Sequence, residues 1–322
     1  MVKKALNPLK IDYEKCIIED RLLQIRSKQN WNEPDLARVW TIEIEARSSK
    51  PIIDFIRRRL QPDDPLTFTH IKRIRKKAGD PKKLVIIICS YDLFNSRSLV
   101  YSVLAESNVL FENLSDENEV PRQGAPTKEL MLEWSRKYWP LTWCGNPNDQ
   151  ILNDYTFDMS HINKMLGSIS DLAQLEADKG NKVPIVTAFV NPQEKDNPIY
   201  AIDRRTENKC TSLDHSIMTG IKLVAEKEKM SDAPSGTGAY LCLNYDVYTT
   251  HEPCSMCSMA LIHSRIKRCI FLQPMQVTGC LKSSSGDAYS MHDNHLLNSK
   301  YEVFQWLGDE YKSPGVDAET CC

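Results

Sequence analysis

The chain has 322 residues, 26% of them charged and 41% hydrophobic, with a formal net charge of −2. That length suits about two domains. The near-neutral total excludes a polycation, and polar residues break every apolar run, including "KLVIIICSY", before it can span a bilayer.

The first residues, "MVKKALNPLKIDYEK", lack the apolar core of a signal peptide. Residues 38–46, "RVWTIEIEA", alternate as a strand does, and "SKPIIDFIRRRL" follows as a helix with Pro51 in its first turn. After the break at "QPDDP", the run "THIKRIRKKA" reads as a second, basic helix and "KLVIIICS" as a buried strand. These elements suggest a small N-terminal α/β domain over residues 1–112. Residues 47–83 hold twelve Lys/Arg against four Asp/Glu, a local excess that can be a solvated face or a phosphate-binding surface. Acidic "NLSDENEVPRQGAPT" is the best linker, and "LEWSRKYWPLTWCGNPND" reads as a strip that packs on the next domain, together covering 113–155.

The remainder, 156–322, alternates helices and strands. Ile162, Met165, Leu166, Ile169, Leu172 and Leu175 stripe a helix that Ser160 can cap. "VPIVTAFVN" and "PIYAID" read as a strand pair. A helix from Asp214 to about Lys229, capped by Asp214 or Ser212, precedes the strand "YLCLNYDVYTT", the helix Cys254–His263 and the strand "IKRCIFL". The order β-β-α-β-α-β makes one sheet covered by helices.

Cys254 and Cys257 in "EPCSMC" place two sulfurs one helical turn apart, as a tetrahedral zinc site wants. The helix start favours thiolate over thiol there. A lone Cys-x-x-Cys is equally a redox pair or two buried thiols; His215 at the start of the preceding helix supplies a third metal ligand and narrows that choice. Reduced thiols plus one metal-type pair account for the eleven cysteines and point to the cytosol or nucleus.

"THEPCSMCSMALIHSRIKRCIFL" resembles the second metal motif and following strand of tRNA adenosine deaminases. Thr278–Gly279 and "LNSKYEVF" fit as well, so the resemblance extends over about residues 183–307. It implies a cytidine-deaminase-like α/β/α sandwich in which His215, Cys254 and Cys257 hold Zn2+. One position departs: the family reads His-x-Glu, and here the second residue after His215 is Ile217. With the added N-terminal domain and "KYWPLTW", the departure makes the chain similar to the catalytically deficient subunit, in its fungal form, of the heterodimeric enzyme that converts adenosine to inosine at the tRNA wobble position.

In a zinc deaminase the metal lowers the pKa of a water and the glutamate relays protons. Ile217 can do neither half of that relay, and loss of general acid/base catalysis alone costs roughly 10²–10⁴-fold. Asp214 and Glu252 are the substitute acids to consider, and Ile217 with Ile221 and Val224 also makes an ordinary helix stripe. Zinc without chemistry tends toward a closed four-ligand shell; the final "ETCC" offers Cys322 as the fourth ligand, with Cys321 next, or two unengaged thiols.

The resemblance implies a partner subunit bearing an intact His-x-Glu, with tRNA as substrate and no membrane. Arg57, Arg58, Arg59, Lys72, Arg73, Arg75, Lys76 and Lys77 are the candidate phosphate contacts. The competing class is an autonomous zinc-containing RNA-binding or structural protein that keeps the fold alone, and a stoichiometric co-purifying deaminase discriminates the two. In the helix from Cys254, the apolar Met256, Met259, Leu261 and Ile262 serve either the core or a partner interface.

Overall fold

The computed structural model describes residues 7–27, 33–77, 79–207, 210–230, 241–294 and 297–322. The first six residues, Ala78 and Tyr240, which the readings above include, lie outside them. Among the described residues no helix is long and apolar enough to cross a membrane. The chain divides into two compact units, Met1–Gln29 with Asn153–Cys322, and Asn30–Leu152.

The first unit begins with β1 (Ile11–Asp12), β2 (Ile17–Ile18) and β3 (Leu22–Gln24), an antiparallel meander. β3 pairs antiparallel with residues 304–306, near the other end of the chain. Ile18 and Leu22 are fully buried. Residues 11–24 therefore belong to the sheet of the C-terminal unit, not to an N-terminal domain over 1–112. Strands of two or three residues are too short to show the alternation from which a strand is read.

The second unit contains β4 (Leu36–Glu45), α1 (Ser49–Arg59), β5 (Ile74–Lys77), β6 (Asp80–Ser90), α2 (Arg97–Ala105), β7 (Glu112–Pro121) and α3 (Lys128–Lys137). The sheet runs β5-β6-β4-β7, antiparallel throughout. Along β6, Ile86 and Ile88 face α1 and α2 through Ile52, Ile56 and Val100, while Val85 and Ile87 join Phe68, Trp134 and Trp139 on the other side. Burial on both faces explains the unbroken apolar run of that strand.

Three expectations are corrected here. The basic run is not a helix: its end is β5, because the apolar edge of β6 offers backbone partners and Ile71 and Ile74 do not recur for a third helical turn. The acidic linker is β7, an edge strand whose charges face outward while Leu114 and Val120 are buried. Its neighbours answer the charge, with Lys83 bonding Glu112 at 2.5 Å. The aromatic strip packs on this same unit, since Trp134, Trp139 and Leu141 complete its core.

Helix α4 (Pro147–Asp154) leads into α5 (Met159–Asp178), β8 (Val186–Val190), β9 (Ile199–Ile202), α6 (Ser216–Met230), β10 (Asp246–His251), α7 (Ser255–His263), β11 (Arg268–Gln273) and β12 (Glu302–Trp306). The sheet order is β1-β2-β3-β12-β11-β10-β8-β9. β10, β11 and β12 are parallel neighbours, and the expected β-β-α-β-α-β order is present. Val247 of β10 packs with α6 and α7, whereas Tyr248 meets His161 of α5 edge-on. Period-two alternation thus puts helices on both faces, an α/β/α sandwich.

Local caps differ from expectation. Asp158, not Ser160, caps α5 by accepting from His161 N–H at 3.1 Å. Ser170 and Ala173 are buried in its stripe, while Leu175 is 48% exposed. The Asp214 carboxylate accepts from the Thr211 N–H and hydroxyl, so it closes a turn before α6 and does not cap the helix. The strand read from residue 240 starts only at Asp246.

His292 ties the first unit together: its Nε2 bonds the Ile25 carbonyl at 3.1 Å, just beyond β3. Burial pushes its pKa down to about 4. Protonation therefore favours the unfolded chain, and the stability present above about pH 6.5 is lost as pH falls toward 4. Urea unfolding is expected to lose on the order of 3 kcal/mol over that window from this group, and His292→Gln to flatten the profile. An unchanged profile in the variant contradicts the assignment.

Candidate metal centre

The parallel strands β10 and β11 deliver their following segments to the carboxyl edge of the sheet, where α/β folds place ligands. After His251 the chain turns through Glu252 and Pro253, and Cys254 becomes the N-cap of α7 in extended conformation. Cys257 lies one turn on. From the adjacent helix, His215 directly precedes Ser216, whose hydroxyl is 2.7 Å from that of Thr187 in β8. His215 Nδ1 stands 3.8 Å from Cys254 Sγ and 3.4 Å from Cys257 Sγ. All three residues are buried, with ligand atoms within 4.8 Å of one another.

The donor chemistry fits a divalent cation. Hydrogen bonding from Cys257, aided by His215, pulls Cys254 down to about 4 against its burial. The same hydrogen bond, burial and the neighbouring charge push Cys257 well up. The two form one coupled titration that holds a single negative charge. A cation among them removes the conflict and lets both sulfurs ionise, as zinc ligation requires.

No carboxylate among the described residues joins this group. Ile217 is 1% exposed and packs with Phe189, Val224, Cys257 and Leu261. Asp214 is held by Thr211. Glu252 is fully buried and saturated: it accepts from the N–H groups of Met275, Leu281 and Lys282 and from the Ser285 hydroxyl, at 2.7–3.0 Å. Neither substitute acid is available. Glu252 instead organises the 275–286 loop, and Gly279 in that loop has no room for a side chain, since a Cβ would stand 2.5 Å from the Glu252 carboxyl carbon.

A cavity of about 350 Å³ opens over the triad, lined by His215, Cys254, Met256, Val277, Tyr289 and Cys321 among others. The chain end is docked beside it. Thr278 Oγ1 donates to Thr320 O at 2.6 Å, and Cys254 N–H donates to Cys322 O. The Cys322 thiol does not join the three-atom group; it is buried with Val183, Ile185 and Met275, while Cys321 faces the cavity. The buried Asp203–Arg205 ion pair went unread in "IDRRT". Its guanidinium favours the thiolate forms of Cys257 and Cys322 electrostatically. A single Asp-x-Arg carries no periodic signal that marks it. Of the apolar residues of α7, Leu261 and Ile262 are core, Met256 is partly buried and Met259 is 42% exposed.

The basic candidates lie in the second unit. Arg57, Arg58, Arg59, Lys72 and Lys76 are exposed. Arg59 pairs with Glu106 at 3.4 Å and Lys77 with Glu43 at 2.6 Å. Arg75 lies over the Trp139 ring and bonds Asn118, and Arg73 donates to main-chain carbonyls of β6. The run splits into internal fasteners and free cations.

Fold and donor set define a deaminase-type metal domain: residues 159–273, from α5 through β11, match the cytidine and deoxycytidylate deaminase zinc-binding region. Similarity reaches well past that region. The tRNA-specific adenosine deaminase subunit TAD3 of Saccharomyces cerevisiae is 48% identical over 324 residues, covering 100% of both chains. The tad3 subunit of Schizosaccharomyces pombe is 25% identical over 293 residues, 87% of each chain. A solved structure from a study of A-to-I editing by tRNA:A34 deaminases aligns with 46% of this chain and 99% of that one, at 19% identity and TM-score 0.35. This chain belongs to the TAD3 family of tRNA-specific adenosine deaminase subunits.

Chelation is expected to lower the melting temperature of the wild-type chain. His215→Ala and Cys257→Ser should each bind less than a tenth of the wild-type metal and lose that chelator response. Metal analysis by mass spectrometry checks this; full metal content in both variants rules the triad out.

Proposed function

We propose that this chain is the non-catalytic, tRNA-binding subunit of a heterodimeric deaminase that converts adenosine to inosine at the tRNA wobble position. The observation that carries the reading is Ile217, buried beside a complete His-Cys-Cys donor set at the position where a deaminase needs its proton relay. His215, Cys254 and Cys257 would hold zinc, which could polarise a water only where a coordination position stays open. Among the described residues no carboxylate is placed to receive or return the proton, because Ile217 is hydrocarbon and Glu252 is fully engaged. The chain's contribution is surface and rigidity: it supports a partner carrying the intact His-x-Glu and adds phosphate contacts through exposed cations of its second unit. Both subunits work in the cytosol or nucleus, where the free thiols stay reduced.

The same reading assigns the docked tail a closing role. Cys321 lines the cavity beside the one coordination position left by three protein ligands, and Cys322 follows it with its thiol buried against Val183, Ile185 and Met275. A tail thiol as fourth ligand would make the site structural: Cys321 already lines the cavity, and Cys322, the first choice on sequence, would have to leave its apolar cluster. Deleting both residues is expected to change the sulfur count in zinc X-ray absorption spectra and leave inosine formation by this chain at zero. Identical spectra overturn the closing role.

For the reading as a whole, tRNA is incubated with this chain, with the His-x-Glu partner, and with both. Inosine is expected only from the pair, and Ile217→Glu alone should not restore activity to the isolated chain. Inosine from the unmodified chain alone, or from the partner at full rate without it, refutes the assignment.

A further inference from the structure

The second unit holds a cleft of about 500 Å³ between the end of α1 and the segment leading into β5. That volume lies in the range of small-ligand sites and exceeds what a bare phosphate needs. Its walls carry Arg57, Lys72 and Arg73 beside the apolar Ile53, Phe68 and Ile74, and none of its lining residues is acidic. Arg57 and Lys72 are exposed and form no ion pair among the described residues.

Arg73 is fixed in place. Its Nη1 donates to the carbonyls of Ile87 and Ile88 at 3.4 and 3.0 Å, and its guanidinium lies 3.7 Å above the Phe68 ring. Its Nη2 is buried and has no hydrogen-bond partner. A buried donor without an acceptor costs about 1–3 kcal/mol, more when charged. Burial lowers the Arg73 pKa to about 10; the Asp64 carboxylate opposes that shift and the nearby Arg57 adds to it. Two close cations, a third beside them and an orphaned N–H together call for an anion. The apolar half of the wall calls for something larger attached to it.

We propose that this cleft binds one nucleotide of an RNA, with the phosphate on Arg57, Lys72 and Arg73 and the base against Ile53, Phe68 and Ile74. The inference rests on the tRNA-binding role above and narrows it from a charged surface to one site. A free nucleoside monophosphate has the same chemistry. RNA is favoured because Arg58 and Lys76, exposed on the same two elements, continue the positive charge beyond the cleft, where only a polymer can use it. Phosphate contacts of this kind set register and carry no base sequence information.

The test uses the full chain with its deaminase partner and measures tRNA affinity across a salt series. Arg57→Ala/Lys72→Ala should weaken binding about tenfold and reduce the salt slope by about two, one per lost contact. Lys50→Ala/Lys82→Ala removes the same charge from exposed positions outside the cleft and should change the slope by less. AMP, assayed by equilibrium dialysis, should bind weakly, lose binding in the cleft variant and be displaced by tRNA. Unchanged tRNA affinity and slope in the cleft variant, with melting temperature intact, overturn the site while leaving the subunit role standing. AMP that binds the cleft but is not displaced by saturating tRNA makes it a free-nucleotide site and overturns the RNA assignment. Failure of the wild-type pair to bind tRNA refutes the parent reading instead.

Discussion

The metal centre depends on one buried carboxylate that touches no metal ligand's side chain. Glu252 sits in the turn between β10 and α7, where the sheet ends and the cysteine helix begins. Four donors from the 275–285 stretch converge on it. Taking a carboxylate out of water costs several kcal/mol unless its lone pairs are answered, and here they are. The bonds lock the returning loop against the start of α7. Gly279 then lies close enough to bridge Cys254, and Thr278 reaches the chain end. The carboxylate nearest to the cysteines in sequence therefore sets the geometry of the site and has no capacity left to move protons.

Ile217 acquires its meaning from that arrangement. A helix that brings His215 to the cysteines must also bury its next inward position, and a glutamate there has to face water or a reacting group. With isoleucine, the same position packs against Phe189 and Leu261, so α6 is fastened by apolar contact where an enzyme keeps it open. Gly220 on the same helix makes the fit closer: a Cβ there would stand 2.2 Å from the Phe189 ring. Loss of chemistry and gain of packing come from one substitution. A donor set kept without its proton relay is what a site retained for shape looks like.

How much of this was legible follows from what leaves a mark in sequence. The α5 stripe runs along a helix of twenty residues, and Cys254-x-x-Cys257 with His215 has a spacing that few other needs produce. Strand β6 declared itself by an apolar run covered on both faces. The second unit was harder because its charged elements are strands. β5 and β7 carry Lys, Arg, Asp and Glu at an exposed edge, and composition read them as a basic helix and an acidic linker. Only their pairing to β6 and β4, a tertiary fact, makes them strands. The membership of residues 11–24 in the distant sheet was hidden for the same reason, since β3 finds β12 across most of the chain.

The positive run shows why counting charges is weaker than locating them. Arg75 is stacked on Trp139, Arg73 on Phe68 with one nitrogen left over, and Lys77 and Arg59 have carboxylate partners, so much of the run is already engaged by protein groups. Surface ion pairs of this sort contribute roughly 0–1 kcal/mol each, too little to explain so dense a run by stability alone. The cations left over cluster at the end of α1 and at the entry to β5, with aromatic and aliphatic walls between them. A merely solvated face has no reason to hold a guanidinium edge away from both water and protein acceptors. The unmet Nη2 of Arg73 stands among these cations, and that coincidence is what the proposed nucleotide site rests on.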